Sequence, residues 1–199
     1  VDNCKDLNTE YFWNDKIINN RKEIFKSPVY IQKNKLVFDE IKKVCGKLLD
    51  VGIGYGYMED LIVKNGLKIQ LYGIDISSVS IKSATERFKG IFKKASVYKI
   101  PFGDNYFDWV IALDVLEHLP KSKMSEALGQ IRSKLKKNGM LIVSVPLNES
   151  KQDKLLNGHL RKFTVPILRS EIKNSGFSIE RIKFLYAFRN YILMKTLIN

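Results

Sequence analysis

The sequence predicts one α/β domain built on a mostly parallel sheet with helices on both of its faces. Two observations indicate this fold class: helix-like and strand-like segments alternate along the chain, and glycines stand where most of the helix-like segments end. Alternation is typical of parallel sheets, because a helix returns the chain from the end of one strand to the start of the next. The 199 residues, of which 45% are hydrophobic, suffice for one such domain with a sizeable core.

Apolar periodicity and the residues that begin or end helices locate the elements. Gly46, Gly66 and Gly90 are each expected to follow the end of a helix. In chain order we expect helices at 7–26 and 36–45, a strand at 48–51, a helix at 57–65, a strand at 69–74, a helix from Ser77 or Ser78 to 88, strands at 92–97 and 109–113, a helix from Ser122 to Gly139, a strand at 140–145, a helix at 167–175 opened by Thr164 and Pro166, and an antiparallel pair of strands at 177–185 and 191–198.

A glycine-rich turn follows the first predicted strand and is the most informative segment of the chain. Gly52, Gly54 and Gly56 occupy every second position, and without Cβ atoms they can let a nucleotide-like cofactor lie against the main chain. A dinucleotide fingerprint would have glycine or alanine where this chain has Tyr57, which disfavours NAD. Asp75 ends the next strand, where an acid can accept hydrogen bonds from a ribose diol.

Four motifs occur in a fixed order: DVGIGYG at 50–56, PFGDNYFD at 101–108, DVLEHLP at 114–120 and LKKNG at 135–139. Together they resemble the small-molecule branch of the class I S-adenosylmethionine-dependent methyltransferases, strongly over residues 47–146. The resemblance implies a Rossmann-like, seven-stranded, mostly parallel sheet. It also implies S-adenosylmethionine as cofactor, S-adenosylhomocysteine as product, and methyl transfer by in-line displacement.

The resemblance also implies which residues surround the cofactor. Ser96 stands where the family often has an acid that holds the adenine amine, and its hydroxyl can accept the same hydrogen bond. The expected cofactor-binding residues are Asp50, Gly52, Gly54, Tyr55, Gly56, Asp75, Ile76, Ser96, Val97 and Leu113.

The acceptor side is expected to use the two histidines of the chain, His118 and His159, as candidate bases. A packing or capping role for His118, and a lid contact for His159, are the alternatives. We expect Tyr11, Trp13 and Arg161 to contact the acceptor. A single domain spanning 1–199 would then comprise a helical lid at 1–46, the cofactor-binding core at 47–146, and an acceptor-lid segment with closing strands at 147–199.

The motif DVLEHLP at 114–120 can also be interpreted as part of a metal site. Asp114, Glu117 and His118 have the i, i+3, i+4 spacing that places three ligands on one face of a helix. Some methyltransferases that this sequence resembles hold a divalent cation with such a cluster, but most with the same residues are thought not to. We therefore expect no metal, and turnover independent of added divalent cations.

The net charge of +13 raises the question of a nucleic-acid partner. The excess of lysine and arginine is spread along the chain and favours a solvated surface, with an RNA or nucleoside methyltransferase as the alternative function. A non-catalytic protein that binds the cofactor is the alternative from another class. Sparse cysteines, Cys4 and Cys45, and the lack of a long apolar run predict a cytoplasmic monomer or homodimer without a membrane partner.

Overall fold

A computed structural model describes residues 8–43, 45–147, 149, 151–152, 157–185 and 190–197. The predicted helix face at 36–45 includes Val44, which lies outside these residues, as does Cys4. The elements are α1 (Glu10–Ile24), α2 (Pro28–Ile41), β1 (Gly46–Val51), α3 (Tyr57–Lys64), β2 (Ile69–Asp75), α4 (Ser78–Arg87), β3 (Gly90–Lys94), β4 (Phe107–Leu113), 3-10 turns at Leu116–His118 and Lys121–Lys123, α5 (Met124–Lys134), β5 (Leu135–Leu147), α6 (Val165–Asn174), β6 (Ser178–Leu185) and β7 (Asn190–Leu197).

The strands form one sheet in the order β3-β2-β1-β4-β5-β7-β6. The first five strands in this order are parallel, whereas β7 runs antiparallel to both β5 and β6. The predicted fold class and the predicted closing antiparallel pair are therefore confirmed. The order of the strands reverses beside β1, which pairs with β2 on one side and β4 on the other, and in open α/β sheets this is the place where ligands bind.

Helices cover both faces of the sheet, because successive side chains of a strand point to opposite faces. Leu49 of β1 belongs to a buried cluster that includes Leu128 of α5 and Leu168 of α6. Its neighbour Leu48 belongs to a second cluster that includes residues of α2, α3 and α4, among them Val37. No helix in the described part of the chain is both long and apolar enough to cross a membrane.

Two helix starts were predicted correctly from their capping residues. Ser77 caps α4 by accepting a hydrogen bond from the Ser80 amide, and Thr164 caps α6 by accepting one from the Ile167 amide. Both caps are confirmed. The predicted apolar face did not locate the start of α2, which begins at Pro28, eight residues before Leu36, with Ser27 as its cap.

Sheet pairing overrides three predicted boundaries. Gly46 and Gly90 begin β1 and β3, where they pair with Ile69 and Leu71, and neither directly follows a helix end. Leu135 was likewise predicted to lie in a helix, but it begins β5 and pairs with Phe107, so α5 ends at Lys134. The predicted cap at Ser122 is wrong, because residues 121–123 form a separate 3-10 turn before α5.

Candidate active site

One cavity of about 810 Å³ lies at the carboxyl ends of β1, β2 and β4. The glycine-rich turn lines one part of this cavity, and residues of α1, α2 and the 3-10 turn after β4 line the rest. Most residues that the sequence predicted for the site are brought together in its wall: Trp13, Asp50, Gly52, Gly54, Tyr55, Asp75, Ile76, Ser96, Val97, Leu113, His118 and His159.

The glycine-rich turn is held against Asp75. Gly52 and Gly54 have φ angles of 83° and 54°, which favour glycine, and a Cβ atom at Gly52 would lie 2.7 Å from a methyl group of Val115. The Gly54 amide donates to Oδ2 of Asp75 over 2.8 Å, and the Ser77 amide donates to Oδ1 over 2.8 Å. A carboxylate has about four lone-pair sites, so Asp75 can still accept hydrogen bonds from a ligand.

A second pair of buried acids lies behind this turn. Asp50 at the end of β1 is 4% exposed, and Glu59 of α3 is fully buried. Burial raises the pKa of Asp50 well above its usual value, with a further contribution from the negative charge of Glu59. Burial also raises the pKa of Glu59 to about 7. Glu59 was missed in the sequence, although an acid between the apolar residues Met58 and Ile62 of a short helix is a recognisable signal.

The two histidines meet at the other end of the cavity. Their ring centroids are 4.6 Å apart, and the ring of Trp13 packs edge-on against His118 at 4.7 Å. Burial lowers the pKa of His118 to about 3, so its imidazole is neutral near pH 7. Its Nδ1 donates to the carbonyl oxygen of Gly158 over 3.1 Å, which leaves Nε2 with a free lone pair.

His159 is oriented by an acid that the sequence did not reveal. Nδ1 of His159 lies 2.6 Å from Oε2 of Glu149, and both side chains are buried. Nε2 of His159 lies 4.0 Å from Oε1 of Glu117. Glu149 lies in a segment without a recognisable motif, ten residues before the histidine, so only the folded chain shows the pair.

Glu117 is a buried carboxyl that faces both histidines. The residue is fully buried, and neither oxygen has a hydrogen-bond partner among the residues that the structure describes. Burial raises the pKa of its carboxyl well above the usual range. The carbonyl oxygen of Glu117 accepts hydrogen bonds from the amides of Leu160 and Arg161, which fixes the segment that carries His159.

Asp114 does not join this cluster as the helical spacing predicted. Residues 116–118 form a 3-10 turn, so no α-helical face presents the three side chains together. Asp114 instead forms an ion pair with the buried Lys33 of α2, and its Oδ1 accepts a hydrogen bond from Ser144 over 2.7 Å. The residues that do come together are Glu117, His118 and His159.

Three predicted site residues are not in the cavity wall. Tyr11 is 82% exposed, because it lies on the solvent side of α1. Arg161 forms an ion pair with Glu171 of α6 through Nη2 at 2.7 Å, and its guanidinium lies over the ring of Phe163. Gly56 is the N-cap of α3. Tyr11 and Arg161, which were expected to contact the acceptor, thus lie outside the wall of this cavity.

Helix α1 covers the cavity and is attached to the core at both sides. Oδ1 of Asn14 accepts hydrogen bonds from the Ser77 hydroxyl (2.7 Å) and the Val79 amide (3.3 Å) at the start of α4. On the other side, the amide of Asn8 donates to the carbonyl oxygens of His118 and Gly158. Helix α1 and the preceding Asn8 therefore link the turn after β2 to the histidine pair.

Residues 49–143 match a family model described as a methyltransferase domain. An uncharacterized protein of Methanocaldococcus jannaschii is 33% identical over 156 residues, which are 73% of this chain and 64% of that protein. The chain thus spans less than two thirds of the length of this relative.

Two solved methyltransferases have the same fold. Magnesium protoporphyrin IX methyltransferase from Synechocystis, crystallised with S-adenosylhomocysteine, has a TM-score of 0.74 and 17% identity over 96% of this chain and 98% of its own. The 1,6-didemethyltoxoflavin N1-methyltransferase of Burkholderia thailandensis, with its substrate and S-adenosylhomocysteine, has a TM-score of 0.75 and 16% identity over 96% of this chain and 87% of its own. At these identities the likeness shows the fold.

Proposed function

We propose that this chain, which belongs to the class I S-adenosylmethionine-dependent methyltransferase family, transfers the methyl group of S-adenosylmethionine to a small-molecule acceptor. The observation that carries this proposal is that one cavity joins the glycine-rich turn and Asp75 to the histidine pair. A volume of about 810 Å³ lies in the usual range of ligand pockets. Two proteins with this fold hold S-adenosylhomocysteine in their crystals, which supports the assignment of the cofactor.

The cofactor is proposed to lie along the carboxyl edge of β1, β2 and β4. Asp75 accepts hydrogen bonds from the ribose hydroxyls, and the turn at Gly52 and Gly54 leaves room for the amino-acid end, near Asp50. Ser96 accepts a hydrogen bond from the adenine amine. The remaining cofactor contacts come from cavity residues at the strand ends: Tyr55, Ile76, Val97 and Leu113.

Transfer is a displacement in which the nucleophile of the acceptor attacks the methyl carbon opposite the sulfur. The sulfonium already activates the methyl group, so the protein mainly has to hold the two reactants close and aligned, an effect that can lower a barrier by about 7–11 kcal/mol. Trp13 supplies an apolar wall for the acceptor. His118 and His159 are the proposed catalytic side chains, because both imidazoles line the cavity at that end.

The covered cavity favours a small acceptor over a nucleic acid. Lys16 of α1 donates to the carbonyl oxygen of Asn157 over 3.2 Å, so the lid helix and the segment that carries His159 close over the same space. An acceptor must fit beneath these two elements. A polynucleotide would require a base to enter beneath these two elements while its phosphates remained outside.

Calorimetric titration with S-adenosylmethionine and S-adenosylhomocysteine tests the proposal. We expect both to bind, and Asp75→Ala to weaken binding by about 1–3 kcal/mol because charged hydrogen bonds to the ribose are lost. Asp104→Ala is the matched control, since Asp104 is an exposed acid paired with Lys134.

Unchanged affinity of the Asp75→Ala protein would contradict the cofactor assignment, and a preference for NAD would contradict the family. Release of S-adenosylhomocysteine only when a methyl acceptor is added would separate an enzyme from a non-catalytic protein that binds the cofactor.

A further inference from the structure

We propose that Glu117, His118 and His159 bind a divalent transition-metal ion at the acceptor end of the cavity. This inference deepens the proposed function, because it assigns the two histidines a role as metal ligands that activate and orient the acceptor. It replaces the sequence-based expectation of no metal, which considered a different set of residues. Three features of the buried cluster define the site: its dimensions, the hydrogen bonds on the ring nitrogens, and the unpartnered carboxyl of Glu117.

The dimensions of the cluster suit one ion. Each of the three side chains offers one ligand atom, and these atoms lie within 4.8 Å of one another. Ligand atoms at about 2.0–2.2 Å from a common ion are separated by at most about 4.4 Å. That limit holds for ligands on opposite sides of the ion; at tetrahedral angles the separation is about 3.4 Å, so the longest separation in the cluster would shorten by about 1 Å on binding.

The histidines are held in the tautomer that a metal ligand requires. Nδ1 of His118 donates to a backbone carbonyl oxygen, that of Gly158, and Nδ1 of His159 donates to the carboxylate of Glu149. In the neutral form of each ring, this hydrogen bond leaves the lone pair of Nε2 for a ligand. Histidines that ligate metals almost always donate the other ring N–H to a carboxylate or a carbonyl oxygen in this way.

The carboxyl of Glu117 has no hydrogen-bond partner among the described residues, and a bound cation would be a partner for it. It is fully buried, and both of its oxygens are without hydrogen bonds to the described residues. Burying such a group without a partner is costly, so a protein with no use for the group would be expected to place an apolar residue there. The nearest buried lysine, Lys33, is already paired with Asp114.

The ligand set selects the class of ion. Two imidazole nitrogens and one carboxylate oxygen suit zinc, manganese, iron or cobalt, whereas magnesium and calcium prefer oxygen ligands throughout. Three protein ligands leave further coordination positions, and Glu117, His118 and His159 all line the cavity. A hydroxyl or carboxylate oxygen of the acceptor can occupy such a position, where the ion favours its deprotonated form.

Titration with Co²⁺ alone, followed by its visible absorption, tests this site without methyl donor or acceptor. The protein is prepared without a histidine tag and treated with a chelator. Because the chain has only two histidines, histidine nitrogen detected around bound Co²⁺ or Mn²⁺ by electron paramagnetic resonance must come from this cluster. We expect one equivalent of Co²⁺ to bind with a nitrogen signature.

Three variants and a control locate the ion. We expect Glu117→Gln and His159→Gln to lose the absorption bands, and Glu149→Gln to weaken binding about 10–100-fold because it removes only the group that orients a ligand. Glu126→Gln, at an exposed acid of α5 paired with Lys123, should bind as the wild type does. Circular dichroism and cofactor titration of each variant monitor folding.

Absence of stoichiometric Co²⁺ and Zn²⁺ binding to the wild-type protein would overturn the proposal, and so would an ion whose spectrum lacks histidine nitrogen. These outcomes need no variant to fold. They are also distinct from failure of the proposed function, since a protein that binds S-adenosylmethionine and no metal would leave the cofactor assignment intact.

Discussion

Glu59 is a fully buried carboxyl whose ionisation opposes folding. Burial raises its pKa from the ordinary 4.5 to about 7, so the folded state holds the proton more tightly than the unfolded state. The stabilising contribution is therefore fully present below about pH 4.5 and is lost as the pH rises through about 7. The neighbouring Asp50, whose pKa is raised as well, acts in the same direction.

We predict that Glu59→Gln changes the pH dependence of stability. Relative to the variant, the wild type should lose about 2 kcal/mol of unfolding free energy between about pH 5.5 and about pH 8.5. Urea unfolding of the protein without cofactor measures this difference. Glu86→Gln, at an exposed position on α4, is the control and should follow the wild type. Parallel curves for wild type and Glu59→Gln would show that Glu59 ionises normally.

Some residues of the site can be recognised from motifs in the sequence, and others cannot. Asp75 and the glycines are recognisable because their spacing follows from the backbone geometry of one turn. Glu149 is not, since it acquires its role from a partner that the fold brings near, His159. Arg161 had a plausible position in the sequence, but Glu171 engages its charge.

At the scale of elements, α1 covers the cavity and is held there by side-chain hydrogen bonds. Asn14 contacts three groups at the start of α4: the hydroxyls of Ser77 and Ser78 and the amide of Val79. Helix α4 keeps its own cap without Asn14, because Ser77 accepts a hydrogen bond from the Ser80 amide. Loss of Asn14 should therefore loosen the lid and leave α4 intact.

We predict that Asn14→Ala weakens binding of S-adenosylmethionine by about 1–2 kcal/mol, since each lost hydrogen bond contributes roughly 1 kcal/mol to the closed arrangement. Calorimetric titration gives the affinity, and hydrogen exchange over residues 10–24 should become faster. Asn19→Ala is a matched control on the same helix, because the side-chain amide of Asn19 donates to Asp15 within α1. Equal affinities and exchange rates for the two variants would show that α1 does not act as a lid.

The boundaries of elements were predicted correctly where a nearby capping residue sets them. They were missed where pairing with a distant strand sets them. Ser77 and Thr164 cap their helices as expected, because a side-chain oxygen beside free amides acts within three residues. Gly90 could not be placed from its neighbours, since it joins β3 through pairing with Leu71. The early start of α2 was recognisable in principle, because serine followed by proline is a common helix start.

At the scale of the whole molecule, the net charge of +13 taken alone favours a nucleic-acid acceptor, whereas the covered cavity favours a small molecule. A surface that follows phosphates would release counterions on binding, so its affinity for RNA would fall steeply with salt. We predict that transfer RNA and mixed oligonucleotides are retained weakly at low salt, are released at moderate salt, and receive no methyl group. Filter binding and incorporation of labelled methyl groups measure both. Retention that survives moderate salt together with methylated RNA would favour the RNA methyltransferase alternative.

The sequence by itself determined the fold class, the family resemblance and the cofactor end of the cavity. These depend on patterns within short stretches of chain: alternating elements, a strand followed by DVGIGYG, and an acid after the next strand. Only the tertiary structure decided the acceptor end. There the parts come from distant segments, α1, the turn after β4 and the segment at 157–159, so which side chains meet depends on the packing of the whole domain. For this reason His159 replaces Asp114 beside Glu117 and His118, although spacing along the chain had indicated the reverse.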